Sequence, residues 1–253
     1  MGFEDLESER LASALAIAEE FASKFKREGV VGIVFLGGIA RGYFDRFSDI
    51  DVIIFKRRNV DLGVRNEYEF EYKGFLIDYE IVNYEDMVES EWDMEMRWSF
   101  SKVKIFYDPE GKIRSLIDKK VCLREEERKW LIIEGLTQSD WYCNVVSELW
   151  IYRNDPISAH YSIYYALEEL VKAIFMLNNE LLPASKWRIY LVQRLKWLPK
   201  EFNEKMREVL LVKDFSLKEL ERRRKALNYL WRQVLPKAER EVDMKFNEFK
   251  KLV

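Results

Sequence analysis

Two acidic residues stand one residue apart at the start of a strand-like run, Asp49-Ile50-Asp51, which continues to Phe55. Side chains alternate faces along a strand, so residues i and i+2 share a face at a Cα separation of about 6.6–6.8 Å. Two carboxylates on one face, with apolar Ile50, Val52 and Ile54 around them, are costly unless a cation compensates them. Mg²⁺ meets that demand, because it binds through one or two carboxylates and takes further ligands from substrate phosphates. A second constraint lies just upstream. Val30 to Leu36 is a continuous, β-branched apolar run bounded by glycines, which predicts a buried strand. It breaks at Gly37-Gly38, and a short helical stretch from Ile39 to Phe44 follows. Paired glycines let a backbone approach phosphates closely, and a helix N-terminus offers free N–H groups. Alone, an Asp-x-Asp reads as a turn or a solvated strand end, and a Gly-Gly reads as a turn. Together, in strand–turn–helix–strand order, they point to an acidic metal platform facing a phosphate cradle.

The periodicity around this motif is mixed. Residues 3–27 space Leu11, Leu15, Ala18, Phe21 and Phe25 as an amphipathic helix. Residues 67–72 and 75–82 read as strands joined by a tight hairpin at Lys73-Gly74, residues 84–96 as a helix, and 102–107 as a strand before a turn at 108–111. After about residue 120 strand signals vanish, and helices are predicted over 123–152, 156–179, 184–197, 201–212 and 216–250. Asp155-Pro156 and Ser216 read as helix starts. The expectation is an α+β fold with a mixed-sheet domain over 1–120 and an all-α helical bundle over 121–253.

Charge follows the same division. Residues 1–120 carry 25 acidic and 18 basic side chains, a net of −7, and residues 121–253 carry 20 and 24, a net of +4. An overall charge of −3 lacks the basic field of a dedicated nucleic-acid binder, so nucleic acid is not an expected partner. Hydrophobic residues at 48% exclude intrinsic disorder. No apolar run reaches the roughly 18 residues of a membrane helix, and the acidic start MGFEDLESER is unlike a signal. Cys122 and Cys143 are too few for a disulfide framework. A cytoplasmic protein without membrane contact is expected, with a homodimer left open.

Gly37-Gly38, ten residues, then Asp49-Ile50-Asp51 resembles the signature of the nucleotidyltransferase superfamily with the DNA polymerase β-like fold. Within it the chain is most similar to antibiotic nucleotidyltransferases of the kanamycin and lincosamide type, which join a small α/β catalytic domain to a helical one. Glu89-Ser90-Glu91-Trp92 and Ile105-Phe106-Tyr107-Asp108 follow in the order seen in kanamycin-type enzymes. The resemblance runs over about 30–108 and is architectural beyond that. It implies Mg²⁺ held by Asp49, Asp51 and a third carboxylate on a later strand, where Phe75 to Ile81 supplies Asp78 and Glu80. Periodicity does not choose between those two; the family spacing favours Asp78. It further implies ATP as co-substrate, AMP transfer to a hydroxyl of a small-molecule acceptor, and release of pyrophosphate. The family's usual Gly-Ser is Gly37-Gly38 here, so backbone N–H groups must serve the phosphates, with Arg41 and Ser48 as candidate helpers.

Residues 155–187 resemble the helical accessory domains that accompany this fold, including the HEPN-like type. Lys186, at the helix start Pro183 to Trp187, is a candidate phosphate contact, with Trp187 available for stacking. A general base from the first helix of the helical domain is implied; the comparable position falls near Asp140, with Glu148 and Glu168 as rivals. Lys172 and Lys186 belong to the basic lobe expected to face the triphosphate. The stripe Trp150, Tyr152, Tyr161, Tyr164 and Tyr165 reads as helix–helix core, and Arg222-Arg223-Arg224-Lys225 as a solvated helix face. Three other functions stand beside the small-molecule transferase: a protein-adenylylating enzyme of toxin–antitoxin type, a non-catalytic nucleotide-binding regulatory module, and a ribonuclease using Arg153 and His160.

Overall fold

A computed structural model describes the backbone of residues 3–253 and the side chains from residue 9 onward, so Met1 and Gly2 of the acidic N-terminal segment lie outside the described residues. The chain divides into two compact units, Met1–Cys122 and Leu123–Val253. The first runs α1 (Phe3–Ser23), β1 (Val30–Phe35), α2 (Gly37–Arg41), β2 (Ile50–Lys56), β3 (Glu67–Tyr72), β4 (Phe75–Asn83), α3 (Tyr84–Glu89), α4 (Met94–Phe100), β5 (Lys104–Tyr107) and α5 (Lys112–Lys120). Its five strands form one mixed sheet in the order β3-β4-β2-β1-β5. Strands β2 and β4 pair in parallel, and the other neighbours are antiparallel.

Both faces of this sheet carry apolar side chains, which is why β1 reads as an unbroken apolar run: all six of its residues are buried. On one face, Ala14, Ala18, Phe21 and Phe25 of α1 and its C-terminal extension pack on Ile33, Phe35, Ile50, Val52, Ile54, Ile77 and Tyr79. On the other, Val34 and Phe55 meet Trp92, Phe100, Ile113, Leu116 and Ile117. Burial alternates along the start of β2, with Ile50, Val52 and Ile54 buried and Asp51 and Ile53 half-buried between them. The hairpin at Lys73-Gly74 has both residues at positive φ, 52° and 82°, the geometry that suits strand twist in a two-residue turn.

The helix expected over 84–96 is two helices, broken between Glu89 and Met94. The break buries Trp92, whose Nε1–H donates to the Met87 carbonyl at 3.0 Å, and Asp93 then caps α4 by accepting the Met96 N–H at 2.7 Å. Burying a large side chain contributes about 1.5–3 kcal/mol. That exceeds the roughly 1 kcal/mol net worth of a helical hydrogen bond.

The second unit comprises α6 (Glu125–Asp140), a π-helical segment (Trp141–Val146), α7 (Ser147–Tyr152), α8 (Pro156–Leu177), α9 (Ser185–Val192), α10 (Phe202–Leu210), α11 (Leu217–Val242) and α12 (Phe246–Phe249). Ile132 and Leu136 of α6, Ile163, Leu167, Leu170 and Ile174 of α8, and Leu227, Leu230 and Val234 of α11 are buried. Asp155 caps α8 with Pro156 in its first turn, and Ser216 caps α11, as their residue types predict. The helix expected over 123–152 is interrupted by the π segment, and the one expected over 216–250 ends at Val242, where Asp243 turns left-handed at φ 54°. Among the described residues, no helix is long and apolar enough to cross a membrane.

Candidate active site

The turn after β1 and the start of β2 are shaped around one another. Leu36 N–H donates to the Asp51 carbonyl at 3.1 Å, so β1 ends beside the second carboxylate of the pair. Gly37 lies at φ 59°, and a Cβ added there would stand 1.9 Å from Asp51 Oδ2. The position demands glycine twice, for its left-handed backbone and for the space the Asp51 carboxylate occupies. Gly38 is constrained differently: a Cβ there would lie 2.8 Å from the Tyr43 carbonyl oxygen and 3.0 Å from its ring. Serine, usual at this place in the resembling family, does not fit without a shift of Tyr43. The turn therefore offers backbone N–H groups and no hydroxyl. Helix α2 closes at Gly42, φ 85°, with the Tyr43 N–H returning to the Gly38 carbonyl at 3.1 Å.

Between α2 and β2 the chain is organised by Asp45, which the sequence reading passed over. Its Oδ1 accepts the Phe47 N–H at 2.7 Å and the Ser48 hydroxyl at 3.2 Å, and its own N–H donates to Ser48 Oγ at 3.0 Å. An aspartate bonding the backbone two residues on is a turn signal, so this loop was legible as Asp45-x-x-Ser48. Ser48 is thereby engaged in building the loop that delivers Asp49.

Register brings in the third carboxylate. In the parallel pairing of β2 with β4, Asp51 lies opposite Asp78 and Ile53 opposite Glu80. One carboxylate oxygen each from Asp49, Asp51 and Asp78 lies within 4.8 Å of the others; Asp49 is exposed and the other two are half-buried. Glu80 stands opposite Ile53 and is outside this group, so the geometry gathers Asp78, of the two alternatives, with Asp49 and Asp51. Two full charges 4.8 Å apart repel by about 3–4 kcal/mol at an effective dielectric of ~20. Hard, all-oxygen donors at this spacing, with Gly37 vacated for one of them, match the coordination chemistry of Mg²⁺. Asp78 Oδ1 is fixed by the Glu69 N–H, which donates to it at 2.6 Å.

Arg41 is held by a residue the sequence reading did not single out. Its guanidinium lies 3.8 Å over the Trp98 ring, and its Nη2 donates to the Trp98 carbonyl at 2.8 Å. Burial holds its pKa below the ordinary arginine value. A guanidinium has five N–H donors, so this seat leaves others for an anion.

The second unit treats its candidate residues as bonded pairs. Asp140, at the end of α6, accepts Asn144 Nδ2–H on Oδ1 at 2.9 Å and Lys250 Nζ–H on Oδ2 at 2.9 Å. Its rivals are paired too, Glu148 with Arg224 and Glu168 with Arg188 at 3.3 Å. Lys186 is exposed near the start of α9. Lys172, expected to face phosphate, is instead bonded to Glu134 at 2.9 Å and to Glu169. Burial opposes the Lys172 charge, but the two glutamates outweigh it and hold the pKa above the ordinary lysine value.

Two readings of this unit are corrected by the structure. The cation run is no solvated face: Arg223 is 2% exposed, Arg222 pairs with Glu219 at 2.6 Å and Arg224 with Glu148, leaving Lys225 exposed. Arg223 Nη1 donates to His160 Nδ1 and to the His160 carbonyl, each at 2.9 Å, and its Nε donates to the Val209 carbonyl at 2.7 Å. Because Arg223 can only donate, His160 Nδ1 accepts, and Nε2–H faces the Ser216 carbonyl at 3.3 Å. Burial depresses the His160 pKa, and this histidine works as a structural link between α8 and α11, while Arg153 lies over Trp150. Nor are the tyrosines core. Tyr152, Tyr161, Tyr164 and Tyr165 are exposed, because Ala159, Ile163, Ala166, Leu167 and Leu170 take the buried side of α8.

Residues 16–127 match the profile of the family described as nucleotidyltransferase domain. A crystal structure of a nucleotidyltransferase-like protein from Exiguobacterium sibiricum 255-15 superposes with a TM-score of 0.49 at 13% sequence identity, covering 92% of this chain and 78% of that one. No curated protein matches the chain.

Proposed function

We propose that the chain, whose residues 16–127 match the nucleotidyltransferase domain family, transfers AMP from ATP to a hydroxyl of a small-molecule acceptor and releases pyrophosphate. The observation that carries this reading is the convergence of Asp49, Asp51 and Asp78 within 4.8 Å beside the vacated Gly37. In it, Asp49, Asp51 and Asp78 hold Mg²⁺. The bound ion would neutralise phosphate charge and orient the attacking and leaving oxygens in line. Gly37 and Gly38 bring backbone N–H groups to the phosphates, and Arg41, seated on Trp98, adds a fixed positive charge. Ser48 contributes by shaping the loop that presents Asp49. Positioning and charge stabilisation supply most of the rate, because phosphoryl chemistry asks little covalent work of side chains.

In this reading the helical unit carries two further candidates, Asp140 as general base and Lys186 as a phosphate contact. Asp140 takes the acceptor proton: Asn144 and Lys250 fix its two oxygens, and a carboxylate keeps further lone pairs for a hydroxyl. Lys186 meets phosphate, and Trp187, in ring contact with Tyr190, is the proposed stacking surface. A small acceptor, as in antibiotic-type enzymes, is the preferred substrate class, with nucleic acid and membrane not involved and a cytoplasmic setting assumed.

The test is incubation of the full chain with Mg²⁺ and α-labelled ATP, with panels of hydroxyl-bearing small molecules. Pyrophosphate and a labelled small product are expected, and both vanish in Asp49→Asn plus Asp51→Asn. Pyrophosphate release that survives this double substitution overturns the mechanism. Label on protein instead of on a small molecule supports a protein-adenylylating enzyme.

A further inference from the structure

Strand β3 pairs regularly with β4 from Tyr72↔Phe75 through Glu71↔Leu76 to Phe70↔Ile77, then resumes one residue out of step at Glu67↔Tyr79. Two residues, Tyr68 and Glu69, therefore oppose one, and that one is Asp78. Glu69 adopts φ 53°, left-handed backbone that a non-glycine residue enters at a cost. Its N–H leaves the strand ladder and donates to Asp78 Oδ1 at 2.6 Å. A bulge is a device for re-aiming a side chain, and retained backbone strain clusters where function needs it.

We infer that the Tyr68-Glu69 bulge is the positioning element of the cation site: the Glu69 N–H fixes Asp78 Oδ1, so that the other carboxylate oxygen is presented toward Asp49 and Asp51. This rests on the cation-site reading proposed above. Glu69 is a positioning residue through its backbone, and its carboxylate plays no part. Without the bulge, β3 would give Asp78 a regular neighbour whose N–H is spent on the ladder, and the carboxylate would rotate freely about χ2. Groups that orient a metal ligand typically matter by about 10–100-fold in metal affinity when removed.

The experiment titrates Mn²⁺ alone into the full chain by calorimetry and by electron paramagnetic resonance, alongside the melting temperature of each variant. Glu69→Gly keeps the N–H and favours positive φ, so it should bind Mn²⁺ as the native chain does. Glu69→Gln should do the same. Glu69→Val keeps the N–H but resists the left-handed conformation, and should weaken Mn²⁺ at least several-fold; Glu69→Pro removes the N–H and should weaken it about tenfold or more. Should Glu69→Pro not fold, Glu69→Val decides. As a readout independent of any metal, Asp78→Ala should speed hydrogen exchange at the Glu69 amide at least tenfold. Native Mn²⁺ affinity in folded Glu69→Val and Glu69→Pro overturns the inference while leaving the cation site standing. Weakened binding in Glu69→Gln overturns it by making the side chain the ligand. Unchanged Mn²⁺ binding in Asp49→Asn plus Asp51→Asn removes the underlying reading instead.

Discussion

Two groups of carboxylates in this chain, one in each unit, are held in opposite ways. In the sheet unit, Asp49, Asp51 and Asp78 are drawn together, like charge against like charge. In the helical unit, carboxylates are matched with cations: Glu168 with Arg188, Glu219 with Arg222, and Glu134 and Glu169 with Lys172. Pairing serves the fold, and its partners lie within the same unit. Gathering like charges opposes the fold, and a sequence that keeps it gains something else. The contrast separates a chemical site from a structural network more sharply than the presence of acidic residues does.

The largest effect is expected where like charges meet. Replacing Asp49 and Asp51 with Asn should lower nucleotidyl transfer by a factor on the order of 10³ or more, since it removes charge stabilisation present in the transition state. Circular dichroism should show the fold intact, so that the loss is chemical. In the helical unit the reverse is expected. Arg223→Ala leaves the Val209 and His160 carbonyls without their buried donor and opens a cavity, costing about 3 kcal/mol of stability in urea unfolding. Transfer per folded molecule should be unchanged. If Arg223→Ala abolishes transfer at full folding, the division into chemical and structural networks fails.

His160 sharpens the same contrast through pH. Burial lowers its folded pKa from an ordinary 6.5, so the unfolded chain binds the proton more tightly. The stability from neutral His160 is fully present above pH 6.5 and is lost as pH falls through the lower folded value. His160→Asn should therefore show a flatter fall in melting temperature between neutral and mildly acidic pH than the native chain.

Smaller effects follow. Gly38→Ser places a Cβ 2.8 Å from the Tyr43 carbonyl and should destabilise by roughly 1–3 kcal/mol, lowering transfer although it restores the residue usual in the resembling family. Lys250→Ala removes a half-exposed partner of Asp140 and should cost less than about 1 kcal/mol, read by the same urea titration.

Much of the candidate site's turn was legible because its residues break ordinary rules. Acidic Asp51 interrupts an apolar strand, and Gly37-Gly38 ends one that is buried throughout. Periodicity alone did not separate Asp78 from Glu80, since both share a strand face, and only the family spacing favoured Asp78; the register sets Asp51 beside Asp78. The break at Trp92 was hidden because local spacing continued a helix that only tertiary burial interrupts. In the helical unit, four adjacent cations suggested a surface, yet Arg223 falls at helical spacing from Leu220, Leu227 and Leu230, all buried. The periodicity held the answer, and residue type masked it. The exposed tyrosines of α8 failed for the opposite reason: their type suggested core, while smaller residues one step round the helix were already packed there.

The central claim is that the three carboxylates are gathered for a cation, against the preference of the fold. The most direct test is the melting temperature of the native chain and of Asp49→Asn plus Asp51→Asn, each with and without Mg²⁺ and ATP. Relief of like-charge repulsion predicts that the variant melts higher than the native chain without ligand. Mass action predicts that Mg²⁺ with ATP raises the native melting temperature and leaves the variant where it was. A variant that melts lower without ligand, yet keeps the full ligand-induced rise, would contradict the account.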